Sequence, residues 1–205
     1  MKDQQYIDQL KDIRTIMDRS SRFISLSGLS GVLAGIYAIL GAFSAHYIIH
    51  YRNHPYITPE SAEFKQLIAI AAAVMVLSIS TAAILSARKA KKSGEKAWNK
   101  SSRRLLINLF IPLTTGGIFG ILLMREELYG LIAPVTLIFY GLSLVNASRY
   151  TLETLRSLGI LFIILGLINT AFPAYSLFFW TLGFGLLHIL YGTIMYLKFD
   201  RKQTD

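Results

Sequence analysis

The chain has 205 residues, of which 53% are hydrophobic and 16% charged, with a formal charge of +9 and no cysteine. The missing cysteines exclude disulfide frameworks, Cys-ligated zinc, iron–sulfur clusters and thiol catalysis. An average soluble domain carries roughly 25% charged residues; this chain instead concentrates its apolar residues in blocks long enough to cross a hydrocarbon core ~30 Å thick, with a mean hydropathy of +0.47.

The first 22 residues, MKDQQYIDQLKDIRTIMDRSSR, are charged throughout, and no cleavable signal peptide is expected. Within them Tyr6, Leu10, Ile13 and Met17 recur at 4-3-4 spacing, and Ile24 continues the step. This predicts a cytoplasmic amphipathic helix with a coiled-coil-like seam. Its five basic and four acidic side chains nearly cancel. A helix lying on a membrane surface is more basic, so the seam is expected to meet protein: a second copy, the chain's own inner face or a soluble partner. The plain alternative is a continuation of the first span.

Six apolar segments follow, at about 24–49, 66–87, 105–124, 129–147, 158–174 and 177–197. Backbone groups in a bilayer must be satisfied within the segment. The expected fold is therefore all-α: a transmembrane bundle over 23–197, six helices in three hairpins, followed by a cytoplasmic tail, 198–205. With the N-terminus inside, the inner pieces hold 18 of the 21 Lys and Arg residues. The positive-inside rule then predicts both termini in the cytoplasm. The basic excess lies mainly in RKAKKSGEKAWNKSSRR, residues 88–104. It is read as a topology determinant resting on anionic lipid headgroups; nucleic acid is not expected. RSSRFISL at 19–26 echoes KSSRRLLI at 100–107, as an internal duplication would.

In span one, Ser27, Gly31 and Gly35 share a four-residue spacing with the outer histidines further along. Gly116 and Gly120 in span three repeat it, and Thr181, Gly185, His188 and Gly192 form a stripe in span six. Lipid tails give no hydrophobic drive for helix association, so such small residues are expected where helices pack closely. Pro112, Pro134 and Pro173 predict kinks or ends. Thr114, Thr115 and Gly116 beside Pro112 also suit a broken helix lining a solute path. AFPAYS at 171–176 predicts the outer turn between spans five and six.

The segment MDRSSRFISLSGLSGVLAG, 17–35, with the predicted helix before it, resembles the N-terminus of small multi-pass bacterial inner-membrane proteins that have no established activity. The likeness covers about the first 45 residues; the rest agrees only in hydropathy. The resemblance implies a bacterial inner-membrane location and transfers no catalytic residue.

Two sets of ionisable groups stand out. His46, His50 and His54 lie near the outer end of span one, flanked by Tyr47 and Tyr51. Pro55 turns His54 away from helical geometry, leaving His46 and His50 as an i, i+4 pair. Such a pair can ligate a divalent metal if Glu60 or Glu63 completes the set; otherwise it is a polar interfacial cap. His188 lies mid-span, where an ionisable residue normally faces the bundle interior. Its expected partners are Asn108, Thr114, Thr115, Ser78, Thr81 or Asn169. Haem ligation lacks a second histidine at that depth.

The functional expectation is a non-enzymatic sensor, regulator or scaffold without cofactor, acting through the N-terminal helix and basic loop. The competing expectation is a small transporter or channel for a neutral or lipid-like solute, lined by Asn108, Thr114, Thr115, Asn169 and His188. A metal-dependent membrane enzyme at His46 and His50 comes third.

Overall fold

The computed structural model describes residues 23, 25–51, 58–94 and 96–201. The amphipathic segment 1–22, His54, Pro55 and the tail beyond residue 201 lie outside them.

The described residues form helices and no strand. Six helices are long and apolar enough to cross a membrane. Span one is α1, Gly28–Tyr51; span two is α2, Ala62–Lys92; span three is α3, Lys100–Arg125. Span four is α4, Ile132–Ala147, entered through a 3-10 turn at Tyr129–Leu131, and span five is α5, Thr154–Ala171. Span six covers Pro173–Asp200. It is built from α6, Ser176–Trp180, a π-helical stretch Thr181–Leu187, α7, His188–Met195, and a second π-helical stretch Tyr196–Asp200.

Local chemistry sets the helix ends. Ser61 caps span two, its hydroxyl accepting from Phe64 N–H at 3.1 Å, and Lys89, Lys91 and Lys92 occupy the last turn, where the helix dipole favours cations. Gly94 then takes φ +70°, the left-handed stop that glycine adopts without a side-chain clash. Asn99 opens span three with a reciprocal cap: its Oδ1 accepts from Ser102 N–H at 2.8 Å, and Ser102 Oγ accepts from Asn99 N–H at 2.9 Å. Polar caps of this kind carry spans two and three several residues beyond the apolar blocks 66–87 and 105–124. Pro112 sits inside a helix that runs unbroken to Arg125, so Thr114, Thr115 and Gly116 do not mark a break. Span five stops at Ala171, and Pro173 starts the turn into span six.

Span one begins at Gly28, not at 24. Phe23 and 25–27 are non-helical, so the predicted amphipathic helix does not run on into span one. The stretch is a strap across the ends of other spans. Phe23 N–H donates to Tyr150 O at 2.7 Å and Thr151 Oγ donates to Phe23 O at 2.6 Å. The Phe23 ring is buried with Leu105 and Ala147. The echo between 19–26 and 100–107 therefore does not extend to conformation: Lys100 onward is helix, whereas Phe23 is strap.

Spans one and two pack together, as do three and four; four also packs along five, and six lies along one. Neighbours are thus not confined to sequential hairpins. Glycines set the close approaches. A Cβ added to Gly31 would sit 3.1 Å from Gly192 Cα, and one added to Gly35 only 2.6 Å from Gly185 O. Across spans four and five, a Cβ on Gly141 or on Gly159 would lie 2.6 Å from the other's carbonyl oxygen. Gly116 is filled against Phe139, whereas an added Cβ at Gly120 meets nothing within 4 Å. The core centres on Leu137 and Phe162, both fully buried.

Candidate functional site

Three polar sites remain once the apolar packing is described. The first is at the end of the bundle where the strap meets spans two and six. Lys89 Nζ lies 2.6 Å from Asp200 Oδ1, with both side chains only 11% and 13% exposed. The same ammonium donates to Leu26 O at 3.0 Å. Asp200 Oδ2 accepts from Gly28 N–H at 2.9 Å, so one carboxylate both neutralises a lysine and caps the N-terminus of span one, where the dipole favours an anion. Ser86 Oγ accepts from Ser27 N–H at 3.2 Å, and Ser30 Oγ donates to Ser27 O at 2.7 Å. Ser27 therefore serves the strap, while Gly31 and Gly35 face span six.

The second is His188. Its Nε2 is 2.7 Å from Tyr140 Oη, and its Nδ1 is 3.4 Å from Gly183 O. A carbonyl oxygen only accepts, so in the neutral ring Nδ1 carries the hydrogen and Tyr140 donates to Nε2. Aromatic rings enclose the pair. Phe162 meets Tyr140 at 4.9 Å and His188 at 5.4 Å, both edge-on, and Phe184 stacks on His188 at 6.0 Å. Gly183 makes room for this: a Cβ there would lie 2.6 Å from Leu137 and 3.1 Å from Phe162.

The partner of His188 is thus none of the six expected residues. Asn108 donates to Arg104 O at 2.8 Å, and its carbonyl accepts from Asn146 at 2.8 Å. Thr115 bonds Ile111 O within its own helix, and Thr114 is exposed. Thr81 pairs with Tyr37 at 3.4 Å. The solute path imagined from Asn108, Thr114, Thr115, Asn169 and His188 is not assembled. Tyr140 was detectable: a mid-span tyrosine, far from the aromatic belts, needs a partner for its hydroxyl. The predicted stripe of Thr181, Gly185, His188 and Gly192 also divides, with the glycines facing span one and His188 facing spans four and five. The π-helical stretch adds a residue to the turn, so a 3.6-residue spacing does not hold across it.

The third lies at the opposite end of the bundle. Asn169 is fully buried; Ser176 Oγ lies 3.2 Å from its Oδ1 and 3.3 Å from Gly130 O. Its Nδ2 and the Tyr129 hydroxyl are buried with no hydrogen-bond partner among the described residues. At the same end His46 and His50 are exposed and stack at 4.1 Å. His50 Nδ1 donates to His46 O at 3.2 Å, which engages one of its ring nitrogens. Glu60 is exposed, whereas Glu63 is buried. No group of three or more metal-ligating side chains occurs among the described residues.

Fold and sites together define a polytopic α-helical protein of membrane-span composition. No known protein family, curated protein or solved structure matches the chain.

Proposed function

We propose that this chain is a bacterial inner-membrane protein with both termini in the cytoplasm, working without enzymatic activity as a sensor, regulator or scaffold. Its working parts are the N-terminal segment 1–22 and the basic loop 88–104. The strap is the observation that carries this reading. It follows directly on the N-terminal segment, and its residues Phe23, Leu26, Ser27 and Gly28 are hydrogen-bonded to Ser86, Lys89, Tyr150, Thr151 and Asp200. A partner that engages the segment therefore acts on spans two, four and six at once. The resemblance of residues 17–35 to bacterial inner-membrane proteins supports the location, and the 18-of-21 distribution of Lys and Arg supports the sidedness.

The test uses photo-crosslinkers at Leu10 and Ile13 in the full chain in living cells. A discrete protein adduct, this chain itself included, that disappears in Leu10→Asp is expected; labelling of lipid alone overturns the reading. A second reading, a transporter or channel for a neutral or lipid-like solute, draws on a groove of about 200 Å³ between spans one and two. Tyr37, Gly41, Ser44, Ile70 and Val74 line it. Faster scrambling of fluorescent lipid in vesicles holding the purified chain would favour that reading.

A further inference from the structure

Spans two and three are consecutive and joined by residues 93–99, yet they do not pack along one another. Among the described residues span two packs along span one, and span three along span four. Among the described residues span two is tied across at its ends: Lys89 reaches Leu26 and Asp200 at one, and the Phe64 ring meets Tyr129 edge-on at 5.9 Å at the other. Between those ties both helices carry uncovered apolar side chains. Met75, Val76 and Ile79 of span two and Ile111, Ile118 and Ile121 of span three are 52–66% exposed. Gly117 is exposed and a Cβ added there meets nothing within 4 Å, so span three is thin as well as uncovered there. The linker at the inner mouth of this gap is basic: Lys91, Lys92, Lys96, Lys100, Arg103 and Arg104 are all exposed. Among them Trp98 is 70% exposed, and indoles favour the headgroup level.

We infer that the gap between spans two and three seats one anionic phospholipid, its phosphate held by the lysines and arginines of the 91–104 segment and its acyl chains lying on the two apolar faces. Charge selects the headgroup: residues 88–104 hold eight basic side chains against Glu95 alone. Each Lys or Arg near an anionic membrane surface attracts it by itself, but a seated lipid also needs apolar walls, and these two helices provide them. The inference rests on the proposed sidedness, since the linker must lie at the inner leaflet.

The experiment is native mass spectrometry of the full chain released from neutral detergent with phosphatidylglycerol or phosphatidylcholine. One phosphatidylglycerol adduct is expected to persist at about tenfold lower lipid concentration than any phosphatidylcholine adduct. Replacing Lys91, Lys92, Lys96 and Lys100 together by Gln abolishes that preference, whereas Arg149→Gln with Arg156→Gln keeps it. Gly117→Trp, which fills the gap and leaves every charge in place, also weakens the adduct. Equal binding of the two lipids overturns the inference. So does loss with the glutamines but not with Gly117→Trp, which reports a diffuse field without a seated tail. Displacement by millimolar inorganic phosphate, marking a free-anion site, overturns it too, as does a Val76→Cys disulfide dimer in nanodiscs, marking a second copy in the gap. Labelling of Gly94→Cys by an impermeant reagent tells the failures apart. External labelling refutes the sidedness, whereas protection of the introduced thiol together with absent lipid preference refutes the lipid site alone.

Discussion

Asp200 is the most informative side chain to change. Replacing it by Ala removes the cap on Gly28 N–H and breaks the ion pair with Lys89, whose side chain is 11% exposed and also donates to Leu26 O. Breaking a buried ion pair by deleting one partner costs about 3–5 kcal/mol, and loss of an N-cap alone costs roughly 1 kcal/mol. The two losses share one carboxylate and do not simply add, so about 3–4 kcal/mol is expected for Asp200→Ala. At about 2–4 °C per kcal/mol for a chain of this size, the midpoint of thermal unfolding in detergent should fall by roughly 10 °C. Asp200→Asn keeps an acceptor for Gly28 N–H and should cost less, about 2–3 kcal/mol. Combining it with Lys89→Met removes both charges, and the coupling energy from the four-protein cycle should be about 2 kcal/mol. Raising the salt should change little, because a pair so nearly buried is poorly screened. A coupling energy near zero, or an unchanged midpoint in Asp200→Ala, refutes the Lys89–Asp200 tie and with it the proposal that a partner on the N-terminal segment acts on the bundle through the strap.

Three further outcomes are expected. His188→Leu leaves the Tyr140 hydroxyl without its acceptor and should destabilise the bundle by roughly 1–3 kcal/mol. His188→Gln should be milder, and Tyr140→Phe should remove most of the difference between them; equal stability of all three in thermal denaturation would mean the pair holds nothing together. Gly35→Leu should lower the unfolding midpoint more than Gly31→Leu, because an added Cβ meets Gly185 O at 2.6 Å in the first case and Gly192 Cα at 3.1 Å in the second; a reversed order would place the tighter contact elsewhere. Zn²⁺ titrated calorimetrically should bind no better in wild type than in His46→Ala with His50→Ala, since the described residues provide no third ligand near that pair; micromolar binding lost in the double variant would establish the metal reading.

Hydropathy along the chain was enough to locate six spans, because an apolar block of about 20 residues has few other places to go. The helix ends were less legible. Capping by Ser61 and by Asn99 with Ser102 extends two helices through polar sequence that hydropathy alone assigns to loops. The start of span one was misplaced because Phe23 and Leu26 are apolar yet lie in non-helical chain, their carbonyls bonded to residues 128 and 63 positions away. Asp200 and Tyr140 were overlooked for a related reason: each acts through a partner distant in sequence, Lys89 at 111 positions and His188 at 48.

What the sequence determined by itself is the class of object: apolar blocks of span length, a basic excess concentrated in one set of connections, and small residues where helices approach. What the tertiary structure decided is which faces meet. Gly31 and Gly35 fit against Gly192 and Gly185, Gly141 fits Gly159, and the π-helical stretch turns His188 away from span one towards Tyr140. Between lipid and helix the transfer energies are nearly equal, so apolarity cannot choose among the faces of a span. That choice falls to close packing and hydrogen bonding between groups far apart in the chain, which exist only once the helices are assembled.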